Sequence, residues 1–297
     1  MSAISISLIM PALNAQAFIK EALDSVARQS GGLAGVEVIV ADGGSSDDTR
    51  QIATRYAFVR VLDGVDNGIY EGFNRGLAGA QGDIIGFLNA DDLLAEGALN
   101  IVRENFGRPD SPDHISGGVT HGNPPETGPV QYHATPMSVP GLLFGIPAIN
   151  GRFFHRKLMK DLNGFAPQAG LAADREFLLR VLKSDANGGN IARVLYHYRV
   201  HSGSTTIAGD SAARARVWRA ELELADYLER QNIVNGRDRK WTGRTRALAR
   251  LKQRLAANRI PANTAAYQDR SHLPSAWHQT VPALIAWRYW RGKLSGY

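Results

Sequence analysis

Asp91 and Asp92 stand side by side just past the apolar run Ile84 to Leu88, behind Asn89 and Ala90, with neither Cys nor His beside them. Carboxylates without soft neighbours are hard oxygen ligands, suited to Mg²⁺ or Mn²⁺ and to the phosphates those ions accompany. The stretch from Asp66 to Asp92 reads as a loop, a small-residue helix, a tight turn at Gly82-Asp83, a buried strand over 84–88, and then the acidic pair. That puts the pair just past a strand end, where open α/β sheets hold their ligands. A metal–diphosphate site is one expectation. The competing one is a helix start, with Asp92 capping the free N–H groups of a helix from about Leu93 to Asn105.

Two further acids have comparable settings. Asp42 follows the short apolar run Val36 to Ala41 and precedes Gly43-Gly44, an open turn, with Ser46, Asp47 and Asp48 as a helix start. A carboxylate there can accept hydrogen bonds from a base N–H or a ribose hydroxyl. Asp174 opens a helical pattern in which Leu178, Leu179 and Leu182 share one face, and an N-cap role competes with a chemical one. The run from Tyr196 to Thr206 reads as a strand entering a Ser/Gly/Thr loop that contains His201. His114, His121 and His133 lack metal-ligand spacing and read as ordinary strand or loop histidines.

The elements that must position these residues follow from periodicity. Ile4 to Met10 is a β-branched segment ending at Pro11. After a loop with Asn14 and Ala15, Phe18, Ile19, Ala22, Leu23 and Val26 recur at helical spacing until Gly31-Gly32. A helix through Ile52 and Tyr56 and a strand near Val59 to Leu62 come next, so strands and helices alternate as in a parallel α/β sheet. Neither GxGxxG nor GxxxxGK[ST] occurs, which argues against a Rossmann dehydrogenase and a P-loop ATPase. Phe106 to Met137 is rich in Gly, Pro and His, with short strands expected at 114–121 and 130–134. Arg152 onward reads as a strand and a short helix stopped by Asn163-Gly164.

The chain has 297 residues and no cysteine, which excludes disulfides, thiol catalysis and zinc–thiolate sites. No signal peptide is expected at Met1 to Met10. The run Val139 to Ile149 is broken by Pro140, Gly141, Gly145 and Pro147, so it predicts no membrane span and the cytoplasm is the expected compartment. Met1–Asp210 carries 17 Lys+Arg against 22 Asp+Glu, whereas Ser211–Tyr297 carries 17 against 6. That shift predicts a boundary giving domains 1–209 and 210–297. The second part reads as basic helices at 213–230, 239–258 and 281–293. Trp287, Tyr289 and Trp290 give the last one an interfacial mix suited to an anionic membrane face, with a solvated basic helix pair or a homo-oligomer contact as the alternatives.

Taken in order, Pro11-Ala-Leu-Asn14, Asp42 in DGGSSDDT, GIYEGFNRG at 68–76, GDIIGFLNADD at 82–92 and AADREFLLR at 172–180 resemble the motifs of family-2 inverting glycosyltransferases. The resemblance spans residues 4–206. It is strongest to a bacterial branch, many of whose members build cell-surface polysaccharides. It implies the GT-A fold, an α/β nucleotide-binding domain with a mostly parallel central sheet, here followed by a helical C-terminal extension. It also implies a nucleotide-sugar donor, UDP-linked by default, a glycan or lipid-linked acceptor, Mg²⁺ or Mn²⁺ as cofactor, and a place in the cytoplasm or on the inner face of the plasma membrane.

Residue by residue, the resemblance gives Asp42 the nucleoside, with Pro11 and Asn14 alongside. Asn74 and Arg75 face the diphosphate or ribose. Asn89-Ala-Asp91 takes the DxD position, Asn89 replacing its first acid and Asp91 acting as metal ligand. Asp92 orients the donor sugar, His201 is a further metal or phosphate contact, and Asp174 is the catalytic base. The chain departs from the branch at Glu71, where an Asp is usual, and at 147–153, where a Pro-His-Gln is often seen. A sugar-phosphate nucleotidyltransferase is the nearest enzymatic rival, but its glycine-rich opening is absent after Met10. A glycoside hydrolase would need two carboxylates roughly 5–9 Å apart and no nucleotide pocket. A basic nucleic-acid-binding protein rests on the tail alone, and no nucleic-acid partner is expected.

Overall fold

The computed structural model describes residues 4–122, 130–132, 137–144, 149–201 and 211–257. The first half alternates as the periodicity predicts: β1 (Ile6–Ala12), α1 (Ile19–Ala27), β2 (Val36–Asp42), α2 (Thr49–Ala53), β3 (Val59–Asp63), α3 (Ile69–Gly79) and β4 (Ile84–Phe87). Then follow β5 (Leu93–Leu94), α4 (Ala98–Phe106), β6 (His114–Gly122), β7 (Val130–Tyr132), α5 (Val139–Phe144), β8 (Arg152–His155), α6 (Arg156–Asp161), α7 (Ala173–Lys183) and β9 (Gly188–Arg199). The basic region forms α8 (Ser211–Arg230) and α9 (Arg239–Ala257).

Strands β3, β2, β1 and β4 lie side by side and parallel, with Ala12 opposite Asp42 and Asp42 opposite Asp63. Parallel strands are covered on both faces, which is why β1 and β2 are buried along almost their whole length. Along β1, Ile6, Leu8 and Met10 enter one core with α1 and α4, while Ile9 enters the other with α3 and α7. The second core is built on Phe73, Phe87, Phe154, Phe165 and Phe177, whose rings pack edge-on or tilted at 5.0–6.3 Å. Gly76 lets α3 approach the sheet closely, since a Cβ there would lie 2.3 Å from the Ile9 side chain.

Beyond β4 the sheet turns mixed. β8 enters antiparallel to β4, with Gly86 opposite Phe153, and β6, β9 and β5 complete the order. The helix predicted from Leu93 starts later. Leu93-Leu94 instead pairs with Tyr196-His197, and α4 begins at Ala98 behind Gly97, whose φ is 72°. The chain stays extended because Asp92, rather than capping a helix, is bonded to β9. The N-cap position of α7 belongs to Ala172, which leaves Asp174 inside the first turn.

The predicted stop at Asn163-Gly164 has both residues at positive φ, 55° and 59°. His114 is buried in β6 against Phe154, and burial brings its imidazole down to about 4. His121 stacks on Tyr198, while His133 lies outside the described residues. Helix α8 buries Ala220, Leu224 and Leu228, the last two in the core that holds Phe177, so the basic region packs on the α/β layers. The segment 281–293 lies outside the described residues. Among those described, no helix is long and apolar enough to cross a membrane.

Candidate active site

The carboxyl ends of β1, β2 and β4 carry the predicted residues, and each acid is held differently. Asp42 is buried at the end of β2. Its Oδ2 accepts the amides of Gly44 and Ser45 at 3.2 and 3.0 Å, and its Oδ1 accepts the Ser45 hydroxyl. The acid therefore shapes the loop that follows it. Pro11 stands opposite Ala41 in β1, and the next loop is tied to the Asp42 loop. Asn14, at φ 50°, donates its amide to Ser45 Oγ at 2.9 Å and accepts the Ser46 amide at 2.9 Å. Ala15 and Gln16 continue the clamp to Thr49 and Asp47.

Arg75 and Asn74 sit on α3 and are engaged by the protein itself. The Arg75 guanidinium donates to Asp66, to the Leu62 carbonyl and to the Asp42 carbonyl at 2.9 Å, so it ties the ends of β2 and β3 to α3. Asn74 reaches across 91 residues. Its amide donates to the Phe165 carbonyl and accepts the Phe165 N–H, both at 2.9 Å, which locks the Asn163-Gly164 turn. Both side chains are thus engaged by groups of the protein itself.

The adjacent acids after β4 are unlike. Asp92 has a side chain 1 % exposed and accepts from the Tyr196 hydroxyl (2.6 Å), Asn89 Nδ2 (2.9 Å) and the Arg199 amide (2.8 Å), with Asn150 Nδ2 at 3.5 Å. Burial, and then the charge of Asp91, hold this carboxyl above the usual carboxylate range. Asp91 faces outward, with its side chain 35 % exposed, and its Oδ2 lies 3.0 Å from His201 Nε2. Arg199 steadies this corner. Its Nε donates to the Asp91 carbonyl at 2.8 Å, a terminal nitrogen donates to Glu21 at 2.6 Å, and the guanidinium lies over the Phe18 ring. His201 stacks on the same ring at 4.5 Å.

Asp174 approaches from α7. Its Oδ1 accepts the Arg175 amide at 2.7 Å, and the hydroxyl of Tyr70, at the start of α3, lies near its carboxyl. Desolvation raises its pKa, against the lowering pull of Arg175 and of the Tyr70 hydroxyl. Buried Arg152 of β8, brought down to about 10 by its own desolvation, interacts electrostatically with Asp174. Arg175 reaches the Leu143 carbonyl (3.2 Å) and Glu221 of α8 (3.7 Å), which links the base position to the basic helices.

Among the described residues, no group of three or more His, Asp or Glu side chains could by itself hold a metal ion. Asp91 and His201 supply one carboxylate and one imidazole in a partly open position. That donor set fits Mg²⁺ or Mn²⁺, which usually take one or two protein ligands and complete their shell with water and substrate phosphate.

Residues 7–165 match the family model described as Glycosyl transferase family 2. The chain belongs to that family. A PGL/p-HBAD biosynthesis glycosyltransferase of Mycobacterium tuberculosis is 37 % identical over 125 residues, 40 % of this chain and 48 % of the relative. The O-antigen biosynthesis protein RfbC of Myxococcus xanthus is 29 % identical over 245 residues, 76 % of this chain and 18 % of that protein. The chain thus spans about half the length, or less, of these curated relatives.

The family-2 fold is shared with S. aureus TarS in complex with UDP, at TM-score 0.61 and 18 % identity over 85 % of this chain and 72 % of that one. It is shared too with the mannosyltransferase PcManGT of Pyrobaculum calidifontis in complex with GDP-Man and Mn²⁺, at TM-score 0.62 and 20 % identity over 99 % and 85 %. The fold is therefore the α/β GT-A type.

Five residues around these acids carry no mark in the local sequence pattern: Tyr70, Asn150, Arg152, Tyr196 and Arg199. Tyr196 is buried, and a buried Tyr needs a partner for its hydroxyl, here Asp92. Asn150 and Arg152 occupy the segment where the branch pattern is broken, and nothing local announces their partners.

Proposed function

We propose that this chain transfers a sugar, with inversion at the anomeric carbon, from a nucleoside-diphosphate sugar to a hydroxyl of a glycan or lipid-linked acceptor during cell-surface polysaccharide synthesis. The donor is UDP-linked in this reading. The observation that carries it is the contrast between two acids: Asp91 beside His201 is partly open to solvent, while Asp174, half-buried in the first turn of α7, has its carboxyl pKa raised by desolvation. Domains of 1–209 and 210–297 complete the reading.

In the reaction, an Asp174 oxygen takes the proton of the acceptor hydroxyl as that oxygen attacks the anomeric carbon, and the bond from this carbon to the diphosphate breaks. A desolvated carboxylate is the stronger base, so the raised pKa favours the proton transfer, and the Arg175 amide on its Oδ1 fixes which way the carboxyl points. Asp42, Pro11 and Asn14 shape the nucleoside end, with Asn74 and Arg75 acting from behind it. Asn89 and Asp92 hold the turn that presents Asp91 to the diphosphate. Mg²⁺ or Mn²⁺ held by Asp91 and His201 would neutralise the departing nucleoside diphosphate.

The test is a screen of UDP-, dTDP- and GDP-sugars with Mg²⁺ or Mn²⁺, read by thermal stabilisation and donor hydrolysis. Binding of one donor class, with D174N lowering kcat on the order of 10²–10⁴-fold while keeping donor binding, is the expected result. No stabilisation by any nucleoside diphosphate refutes the reading. Peripheral membrane association through the basic helices is a separate part of the proposal. It rests on the Arg-rich faces of α8 and α9, where Lys240 and Arg244 lie over the Trp241 ring at 5.2 and 4.6 Å. Failure to sediment with anionic vesicles at low salt would discard it, and a concentration-dependent change in mass would favour the oligomer contact instead.

A further inference from the structure

Helix α1 is fastened to the strand that follows the acidic pair. Ser25 Oγ accepts the Leu94 amide at 3.0 Å, and Gln29 Nε2 donates to the Ala95 carbonyl at 2.9 Å. At the other end of the helix Phe18 occupies the N-cap position and Glu21 the first turn. Glu21 accepts from the Arg199 guanidinium at 2.6 Å, and that guanidinium lies 5.2 Å from the centroid of the Phe18 ring. The His201 ring is 4.5 Å from the same centroid, with the two planes 39° apart. Phe18 is half-buried and, among the described residues, belongs to neither apolar core. Its ring serves these two side chains instead.

His201 lies past the last residue of β9, where strand pairing no longer fixes a side chain. A ligand that must be ordered when the ion arrives lowers the affinity by that ordering, and one held beforehand does not. In the structure His201 Nε2 is 3.0 Å from Asp91 Oδ2. Neighbouring corners of an octahedron with bonds of about 2.1 Å are about 3.0 Å apart, so the pair already has the spacing that Mg²⁺ or Mn²⁺ requires of adjacent donors. Coordination also draws electron density from an imidazole, and an electron-poor ring is held more firmly on an aromatic face.

We propose that Phe18 is a positioning residue for the metal site: its ring holds the His201 imidazole at the spacing from Asp91 that a divalent ion needs, and so sets the metal affinity. The inference rests on the reading of Asp91 and His201 as metal ligands and adds to it a residue from the first helix of the chain. Phe18 offers the ion no donor atom and acts only through His201.

The experiment titrates the full chain with Mn²⁺, followed by the EPR signal of the free ion, in the presence of whichever of UDP, dTDP and GDP stabilises it. F18L keeps apolar bulk and removes the aromatic face, F18Y and F18W keep the face, and H201A with F18L/H201A completes a double-mutant cycle. Mn²⁺ should bind roughly tenfold more weakly to F18L than to wild type and return to within about threefold of wild type in F18Y or F18W. Nucleotide affinity without the ion should be unchanged in F18L. F18L/H201A should bind Mn²⁺ no more weakly than H201A, because a residue acting through another adds nothing once that one is gone. General loosening of α1 would instead weaken both backgrounds alike. Binding by F18L equal to wild type while H201A is weakened, losses that multiply in the double variant, or no recovery in F18Y and F18W overturns the proposal and leaves the metal reading standing. No Mn²⁺ binding by wild type, or none lost in H201A, overturns the metal reading and the proposal with it.

Discussion

Replacing Tyr70 with Phe removes one hydroxyl and leaves the ring in its place against Phe73 and Phe165, at 6.1 and 5.3 Å. Desolvation and the nearby Asp174 charge hold the Tyr70 phenol well above its ordinary pKa, so it stays protonated beside Asp174 across the working pH range. The hydroxyl favours the charged form of Asp174, and its loss therefore raises the Asp174 pKa further. The worth of a full bond to a charged group, about 1.5–3 kcal/mol, is the upper bound on that effect. The base must be deprotonated to act, so the acidic limb of the kcat/KM profile moves to higher pH, and activity at low pH falls first. The assay is donor turnover between pH 5 and 9 for wild type and Y70F. An acidic limb that stays in place, or moves to lower pH, refutes both the base assignment of Asp174 and the influence of Tyr70 on it.

The two adjacent acids should behave as opposites. D91N abolishes nucleoside-diphosphate stabilisation in the presence of Mn²⁺ without changing the Tm of the free protein, whereas D92A leaves the Tyr196 hydroxyl and the Arg199 amide without their acceptor. That costs about 1–3 kcal/mol for each group and lowers the Tm; denaturant titrations of both variants check it. The α8–α9 contact should loosen in acid. Hydrogen bonding from Arg246 is the largest cause that holds Glu229 down to about 2, against an ordinary value of 4.5. A depressed carboxylate stabilises fully above its unfolded pKa, so this contribution is lost as pH falls from about 4.5 toward 2, and E229Q should flatten the pH dependence of the Tm over that window.

The parts of the fold that could be read in advance were those written in short-range pattern. β1, β2 and β4 are apolar runs ended by turn residues. The stop at 163–164 follows from one residue tolerant of positive φ and one glycine, and the leucine face of α7 from its spacing. Less legible were residues whose partner lies far along the chain. Asp92 looks like a helix cap until Tyr196, 104 residues later, claims it. Asn74 bonds Phe165 with both ends of its amide, 91 residues away. Arg75 binds Asp66 and two strand-end carbonyls, partners that its own neighbours in sequence do not announce. Local sequence names the chemical groups at a strand end. Which of them face the solvent depends on elements that arrive later.

The hold of β9 on the acidic turn bears on how the cleft comes into being. Residues 7–165 contain every recognisable donor motif, yet the hydroxyl and amide that steer Asp92 inward, and so leave Asp91 outward, belong to Tyr196 and Arg199. A nascent polypeptide emerging from the ribosome with only its first 165 residues would have a sheet but an unanchored loop after β4. Competence for donor capture should switch on late in translation, once roughly the two-hundredth residue has cleared the exit tunnel.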